Sequence, residues 1–558
     1  MKKLFSVCFL LVVASSSSLE AQTFEWARKS GTSVISTGAA IAADEHGNSY
    51  VTGTFFGKCT FGDTELSADG RDIYIVKYDP QGNVLWAKSA GGRADDFGNT
   101  IAVDKEGNCY IGGSFALEII FGRTTLTAKG MHDLFLAKYN SKGEVLWATS
   151  AGGYYDDHAM TLSLDKKGNC YVAGFFKDTL WFAPNTMIIG KRVSTFDMFL
   201  AKYDANGKLQ WAKPLGGSSY QTQNEGLAIA TDPAGMSYLT GFYQSEAEFD
   251  TKKIINKGTY ALFVAKYDSD GKMVWVKTAG TDGSSVVGKG IALDKKGNSY
   301  VTGTLTSSSQ FDTITAVSKN LGYPEMFLAK YNPSGNIIWL RTSAGFCAKN
   351  PYAAAVDAEG NPYVFGTFRD TASFGTITLS GSGTENIFLV KYSALGEPEW
   401  GKQVGRHGMI LGKALSIDKA GNVVMTGNFT DTADFGKAHL QASESTQDVF
   451  IAKLSPHSHS KEKKLPDTPA PDFIFSSCEL DPRTHIATVR FSIPRSSFLL
   501  LEVYNMMGTV AESFIEAQRE AGVYEVKLDL KGIKEGSDYY CRLQCGKEKQ
   551  TKKMELKK

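Results

Sequence analysis

Seven of the eight tryptophans stand at near-constant spacing. They are Trp26, Trp86, Trp147, Trp211, Trp275, Trp339 and Trp400, at intervals of 60, 61, 64, 64, 64 and 61 residues. Two further markers keep step with them. An aspartate followed three positions later by glycine recurs at Asp44/Gly47, Asp104/Gly107, Asp165/Gly168, Asp232/Gly235, Asp294/Gly297, Asp357/Gly360 and Asp418/Gly421. A Lys-Tyr pair recurs at Lys77-Tyr78, Lys138-Tyr139, Lys202-Tyr203, Lys266-Tyr267, Lys330-Tyr331 and Lys391-Tyr392, and decays to Lys453-Leu454. A period of this size marks a repeat architecture, in which each unit buries its apolar face against its neighbours.

One unit reads as four strands. In the second, Thr100 to Asp104 leads into a turn at Lys105-Glu106-Gly107-Asn108, and Cys109 to Phe115 returns. After a longer connection, Leu134 to Tyr139 runs out, turns at Ser141-Lys142-Gly143, and returns through Val145 to Thr149. Asp-x-x-Gly suits a type I turn, with the aspartate bonded to the backbone and glycine in the left-handed region. Two tight hairpins per period with longer connections between them describe the blade of a propeller. At the two extremities, Phe24 to Arg28 reads as a fourth strand without its first three, and Phe450 to Leu454 as a third strand without its fourth. Pairing the two would leave no free edge. The expectation is an all-β fold, a seven-bladed β-propeller of four-stranded blades with the N-terminal strand closing the last blade. An open solenoid would carry two polar caps. A transmembrane barrel gives no reason for a fixed tryptophan and two tight turns per period.

Gly-Asn-Ser-Tyr-Val-Thr-Gly-Thr at Gly47 to Thr54 and again at Gly297 to Thr304, with Phe135 to Asn140, resembles the bacterial SBBP-type beta-propeller repeat family. The resemblance covers roughly residues 23 to 455 and implies the fold. It implies little about a ligand.

Composition bears on address and partners. Lys plus Arg is 60 and Asp plus Glu 59, a net charge of +1, so the chain has no overall electrostatic footprint for nucleic acid. Residues 1–21 read as an export signal: Lys2 and Lys3, an apolar run from Leu4 to Ala14, and a small residue at Ala21. Eleven apolar residues are too few to cross a bilayer, and no later segment is long enough, so no transmembrane segment is expected. Cys109 and Cys170 hold equivalent repeat positions, too far apart to bridge. Cys541 and Cys545 would lie about 13 Å apart along one strand, while Cys478 could pair with either.

The expected organisation is a signal at 1–21, a propeller at 22–455, a proline-rich exposed linker at 456–471, and a small C-terminal β-sandwich at 472–558. Thr488 to Pro494, Val503 to Gly508, Ala521 to Tyr524 and Thr551 to Met554 together resemble the C-terminal sorting domain of type IX secretion substrates. That resemblance implies passage through the periplasm, export across the outer membrane by its secretion machinery, removal of this domain, and release or attachment at the outer cell surface. It assigns the sorting signal to Gly508, Gly522, Tyr524, Lys552 and Lys553.

Sites in propellers gather on the face formed by the variable connections. Eight residues before each turn aspartate the chain reads Ser36, Asp96, Asp157, Asn224, Val286, Lys349 and Ile410. Asp95-Asp96 and Asp156-Asp157, with His158 and then Asn224-Glu225, form the candidate ligand-binding cluster. Trp181, the one tryptophan out of step, offers a ring that could stack on a sugar. The bland alternative is that these aspartates cap loop turns in solvent and that Trp181 anchors its loop. No nucleophile-elbow, zincin, Walker or dinucleotide fingerprint is present, so neither a cofactor nor a metal is expected. The reading is an interaction module for an extracellular protein or glycan. Its alternatives are an envelope scaffold without a small ligand and a secreted carboxylate-dependent hydrolase or lyase acting on polysaccharide.

Overall fold

The computed structural model describes residues 22–556 apart from 33, 183–184, 191–195, 220–226, 257, 319–322, 346–348, 382–383, 406, 444–445, 456–459, 465–472, 484, 495–496, 506–509, 520–521, 531–538 and 546–547. The chain divides into two compact units, Phe24–Leu454 and Ser455–Lys558.

The larger unit is all-β and propeller-like. Its second repeat shows why. Asp96–Val103, Cys109–Phe115, Asp133–Tyr139 and Val145–Gly152 pair antiparallel in chain order. The two middle strands are buried along their whole length, because both faces of the sheet meet a neighbour. They therefore read as continuous apolar runs rather than alternating ones. Gly107 closes the first turn at φ 77°, which suits a residue without Cβ. Asp104 Oδ1 accepts the N–H groups of Glu106 and Asn108 at 3.1 and 2.9 Å, and Asn108 Nδ2 donates to Oδ2 at 2.9 Å. The carboxylate is occupied by its own turn.

Seven such sheets lie in Phe24–Leu454 among the described residues. Their first strands are Ile35–Ala43, Asp96–Val103, His158–Leu164, Leu227–Thr231, Val286–Leu293, Lys349–Val356 and Ile410–Ile417. Each lies against the first strands of the adjoining sheets, and Ile35–Ala43 lies against Ile410–Ile417. In the seventh sheet the order is Thr23–Lys29, Asp448–Ser455, Val423–Phe429, Ile410–Ile417. Lys29 Nζ reaches Asp448 at 2.9 Å, and Ser30 Oγ accepts the Val449 N–H at 3.0 Å. One apolar cluster joins Val424, Val449 and Ile451 to Val51, Phe55 and Val76 of the first sheet.

The recurring residues form one latch between sheets. Trp26, Trp86, Trp147, Trp211, Trp275 and Trp339 each donate the indole N–H to a carbonyl in the third-to-fourth turn of the next sheet, at 2.9–3.2 Å. A Cβ on the glycine of that turn would lie 2.6–3.0 Å from the indole. The Lys of each Lys-Tyr pair sits 4.5–5.6 Å from the ring centre of a second-strand tyrosine, as Lys138 does over Tyr110. That tyrosine meets the indole edge-on.

The longer connections are more regular than a loop reading suggests. They carry short hairpins such as Glu118–Phe121 with Thr124–Thr127, and Thr179–Phe182 with Thr186–Ile189. Each hairpin folds a buried phenylalanine onto the third strand, as Phe121 does on Phe135 at 5.1 Å and Phe374 on Phe388 at 4.9 Å.

In the C-terminal unit one sheet runs Ser460–Lys464, Gly522–Asp529, Ile486–Ile493, Ile474–Asp481, Glu555–Leu556. The other runs Val510–Arg519, Ser497–Asn505, Tyr539–Cys545, Glu548–Lys553. Phe475, Val489, Phe491 and Val526 of the first share one core with Leu499, Leu501, Val503 and Leu543 of the second. Part of the segment read as linker, Ser460–Lys464, is thus an edge strand paired with Gly522–Asp529.

Candidate functional site

The row eight residues before the turn aspartate is buried wherever it is described: Ser36, Asp96, Asp157, Val286, Lys349 and Ile410 are all 0% exposed. Each of the three charged members ties down the loop that brings the chain in from the preceding sheet. Asp96 Oδ2 accepts the Gly92 N–H at 3.0 Å, and Asp157 Oδ2 accepts the Gly153 N–H at 2.6 Å. Lys349 Nζ donates to the Gly345 carbonyl at 2.6 Å. In all three the partner lies four residues back, so one cap is built with either polarity. Asp96 and Asp157 therefore correct the expectation of an open carboxylate cluster, and also the alternative of caps in solvent. These positions lie at or beside the start of the inner strands and are fully buried.

A second buried row lies on the third strands: Asp72, Asp133, Asp197, Glu325, Asn386 and Asp448. Asp72 is the acid that raises Asp96 most, and Asp133 the one that raises Asp157 most. Burial pushes Asp96 and Asp157 each up to about 8 and Asp72 up to about 7, with neighbouring carboxylates adding to the rise. Burial alone raises Asp133, against the lowering effect of the Lys129 and Gly130 N–H groups and of Lys129 and His132. A Cβ at Gly91 would stand 2.1 Å from the Asp72 carboxyl carbon, and one at Gly152 1.9 Å from that of Asp133, so the fourth strand needs glycine there. The sequence carried a signal for this row in the polar residue five positions before the third-strand lysine, present in every repeat but the fourth, where Ala261 stands.

The remaining predicted residues part company. Asp95 is half-exposed and pairs with Arg71 at 3.7 Å. Asp156 Oδ1 meets His132 Nδ1 at 2.8 Å. The His132 and His158 rings stack at 5.9 Å, and His158 Nδ1 meets Ser114 Oγ at 2.8 Å. Burial pushes His158 down to about 4, so its imidazole is neutral at physiological pH. Asp157 and His158 are consecutive but separately engaged: the Asp157 carboxyl holds the Gly153 N–H, and the His158 imidazole meets Ser114. Among the described residues no group of three or more His, Cys, Asp or Glu is arranged to hold a metal ion. Asn224 and Glu225 lie outside the described residues.

Trp181 is 43% exposed, while Leu180 and Phe182 beside it are buried. It presents its ring on the hairpin rather than anchoring it. Of the residues that the resemblance assigned to a sorting signal, Tyr524 stacks on Phe491 at 5.4 Å, Lys552 Nζ donates to the Ser476 carbonyl at 3.0 Å, and Gly522 and Lys553 lie in strands. Gly508 lies outside the described residues.

Sequence reasoning missed a third row. The first strands bulge at one repeat position, leaving Ala39, Asn99, Met160, Lys289, Tyr352 and Lys413 outside the ladder. Lys289 Nζ and Lys413 Nζ, from the sheets on either side, lie 5.3 and 4.9 Å from the Tyr352 ring centre. At the tight-turn end of the first strands, a cavity of about 550 Å³ is lined by Asp104, Lys105, Asp165 and Lys166 among others.

Comparison with known proteins supports the architecture. The SBBP beta-propeller repeat model matches residues 85–114 and 274–307. An uncharacterized WD repeat-containing protein of Acanthamoeba polyphaga mimivirus is 24% identical over 536 residues, covering 77% of this chain and 38% of that protein. Regulatory protein FlaEY of Caulobacter vibrioides is 28% identical over 113 residues, covering 20% of this chain and 12% of that protein. The chain thus spans well under half the length of these relatives. Among solved structures, a puromycin hydrolase aligns at 9% identity with a TM-score of 0.37, covering 85% of this chain and 62% of that one. At that level the likeness transfers no chemistry.

Proposed function

We propose that Phe24–Leu454 is a closed seven-bladed β-propeller acting as an exported scaffold that makes contacts through its variable connections. Closure is supported by the pairing of Thr23–Lys29 with Asp448–Ser455 and by Trp26, which latches onto the Pro80 carbonyl of the first sheet. The observation that carries the scaffold reading is the burial of Asp96 and Asp157, whose carboxyls are engaged in holding loops. A channel-mouth hydrolase would need them in contact with substrate. The test is isolation of the full chain from its envelope beside a panel of polysaccharides. Stable co-purification with surface proteins and no turnover is the expected result; polysaccharide cleavage abolished by Asp156→Asn would overturn it. That outcome belongs to the second reading, a carboxylate-dependent hydrolase or lyase. The half-exposed Asp156–His132 pair beside a neutral His158 is the observation in its favour.

Export is part of the proposal. Residues 1–21 act as a removable signal, and residues 472–558, in the form of a two-sheet sandwich, act as a type IX sorting domain. The shared core of the two C-terminal sheets and the ordered placement of Tyr524 and Lys552 support this. Deleting 472–558 is expected to leave a folded propeller in the periplasm. Normal surface display of that truncation would refute the assignment.

A further inference from the structure

Six cysteines are described, all buried. Cys59, Cys109 and Cys170 lie in the second strands of three different sheets of the large unit. The other three share the core of the C-terminal unit. Cys478 stands in the middle of Ile474–Asp481, in one sheet, and Cys541 in Tyr539–Cys545, in the other. Their side chains meet across the core with Sγ atoms 2.6 Å apart, and the residues are 3% and 0% exposed. Cys545 is four residues further along the same strand, about 13 Å away at ~3.3 Å per residue. It sits in register with Leu499 and Glu548.

We infer that Cys478 and Cys541 are joined by a disulfide that staples the two sheets of the C-terminal unit when the chain folds in an oxidising environment. The two strands already bring the thiols together, so bridging needs no rearrangement of the backbone. The surroundings are apolar: Phe475, Val489, Val503 and Leu543 belong to the same core. No dissolved oxidant reaches the pair once the sheets have closed, so the bond forms during folding. In exchange with oxidised glutathione, the thiolate of one cysteine attacks a glutathione sulfur and expels one reduced glutathione. The other cysteine thiolate then attacks the protein sulfur of the mixed disulfide and expels the second. Two thiol protons and two electrons leave the protein, and one glutathione disulfide becomes two thiols. The inference does not depend on the route of export, since any disulfide-bearing oxidant suffices.

Trypsin separates the candidates cleanly. It places Cys478 in the fragment 465–483, Cys541 in 535–542 and Cys545 in 543–547. The full chain is unfolded in urea with reductant, refolded in a mixture of oxidised and reduced glutathione, alkylated and digested without reduction. The expected product is 465–483 linked to 535–542, lost on adding dithiothreitol. Cys545→Ser should leave it unchanged. Cys541→Ser should abolish it and lower the urea midpoint of the C-terminal unit toward that of the reduced protein. Recovery of Cys478 and Cys541 as alkylated thiols, or linkage of 465–483 to 543–547, would overturn the inference.

Discussion

The second and third sheets and the sixth solve one packing problem with opposite hydrogen-bond polarity. In each, the chain enters the inner strand through a glycine loop whose backbone must be satisfied away from water. Asp96 and Asp157 do so by accepting an N–H, and Lys349 by donating to a carbonyl. In the fifth and seventh sheets Val286 and Ile410 fill the same position. A charged residue that breaks the symmetry of a repeat is therefore not yet a site. Here the break in charge conceals a structural task shared by three sheets, and chemistry is to be sought in the neighbours that reach solvent, Asp95, Asp156 and His132.

The comparison is broken most severely by reversing the cap. Lys349→Glu puts a carboxylate against the Gly345 carbonyl in a fully buried place. It should cost about 3–5 kcal/mol, the range for an uncompensated buried charge, read as a lower urea midpoint. A loss below about 1 kcal/mol, the scale of an ordinary surface substitution, would mean that the loop has another support.

Asp157→Ala removes the acceptor and leaves the Gly153 N–H buried, for an expected loss of about 1–3 kcal/mol. Asp157→Asn keeps an oxygen in the same place, and the native carboxyl is itself protonated near neutrality, so it should cost less than half as much. Equal losses in the two variants would show that charge rather than the hydrogen bond holds the loop.

The acid caps also make stability depend on pH. Asp157 is raised from 3.8 in the unfolded chain to about 8 in the fold. Between those values the native state holds a proton that the unfolded state has released. The contribution of this group is thus complete below about pH 4, declines as pH rises, and is gone above about pH 8. Wild type should lose stability across that window, and Asp157→Asn should flatten part of the slope. An unchanged slope in Asp157→Asn and Asp96→Asn alike would place the titration elsewhere.

What the sequence made legible was whatever repeats. Trp86, Asp104, Gly107 and Lys138 recur because every sheet needs the same latch and the same turn, and a period survives any amount of local drift. The hairpin phenylalanines recur as well, in Phe61-Gly62, Phe121-Gly122, Phe374-Gly375 and Phe435-Gly436, but they fall in connections read as variable loops. Asp96 and Asp157 could be placed eight residues before the turn aspartate, in the connection entering the inner strand, from spacing alone. Their burial could not, because alternation along a strand separates two faces without saying whether water or another sheet covers them. His132 was hidden for a different reason: it lies 24 residues from Asp156, in a connection that no marker numbers.

The smallest effect concerns the bulge row, where the fifth to seventh sheets carry Lys289, Tyr352 and Lys413 and the second and third carry Asn99 and Met160. Each lysine gains about 0.5–1 kcal/mol from the ring, and each repels the other across it. Lys413→Met alone should change stability by only about 0.5 kcal/mol, since both terms vanish together. With that repulsion gone, Lys289→Met should cost more in the Lys413→Met background than in wild type. A double-mutant cycle reads the difference directly. A coupling of zero would mean that the ammonium groups are screened from each other, and a coupling of opposite sign that they hold Tyr352 jointly.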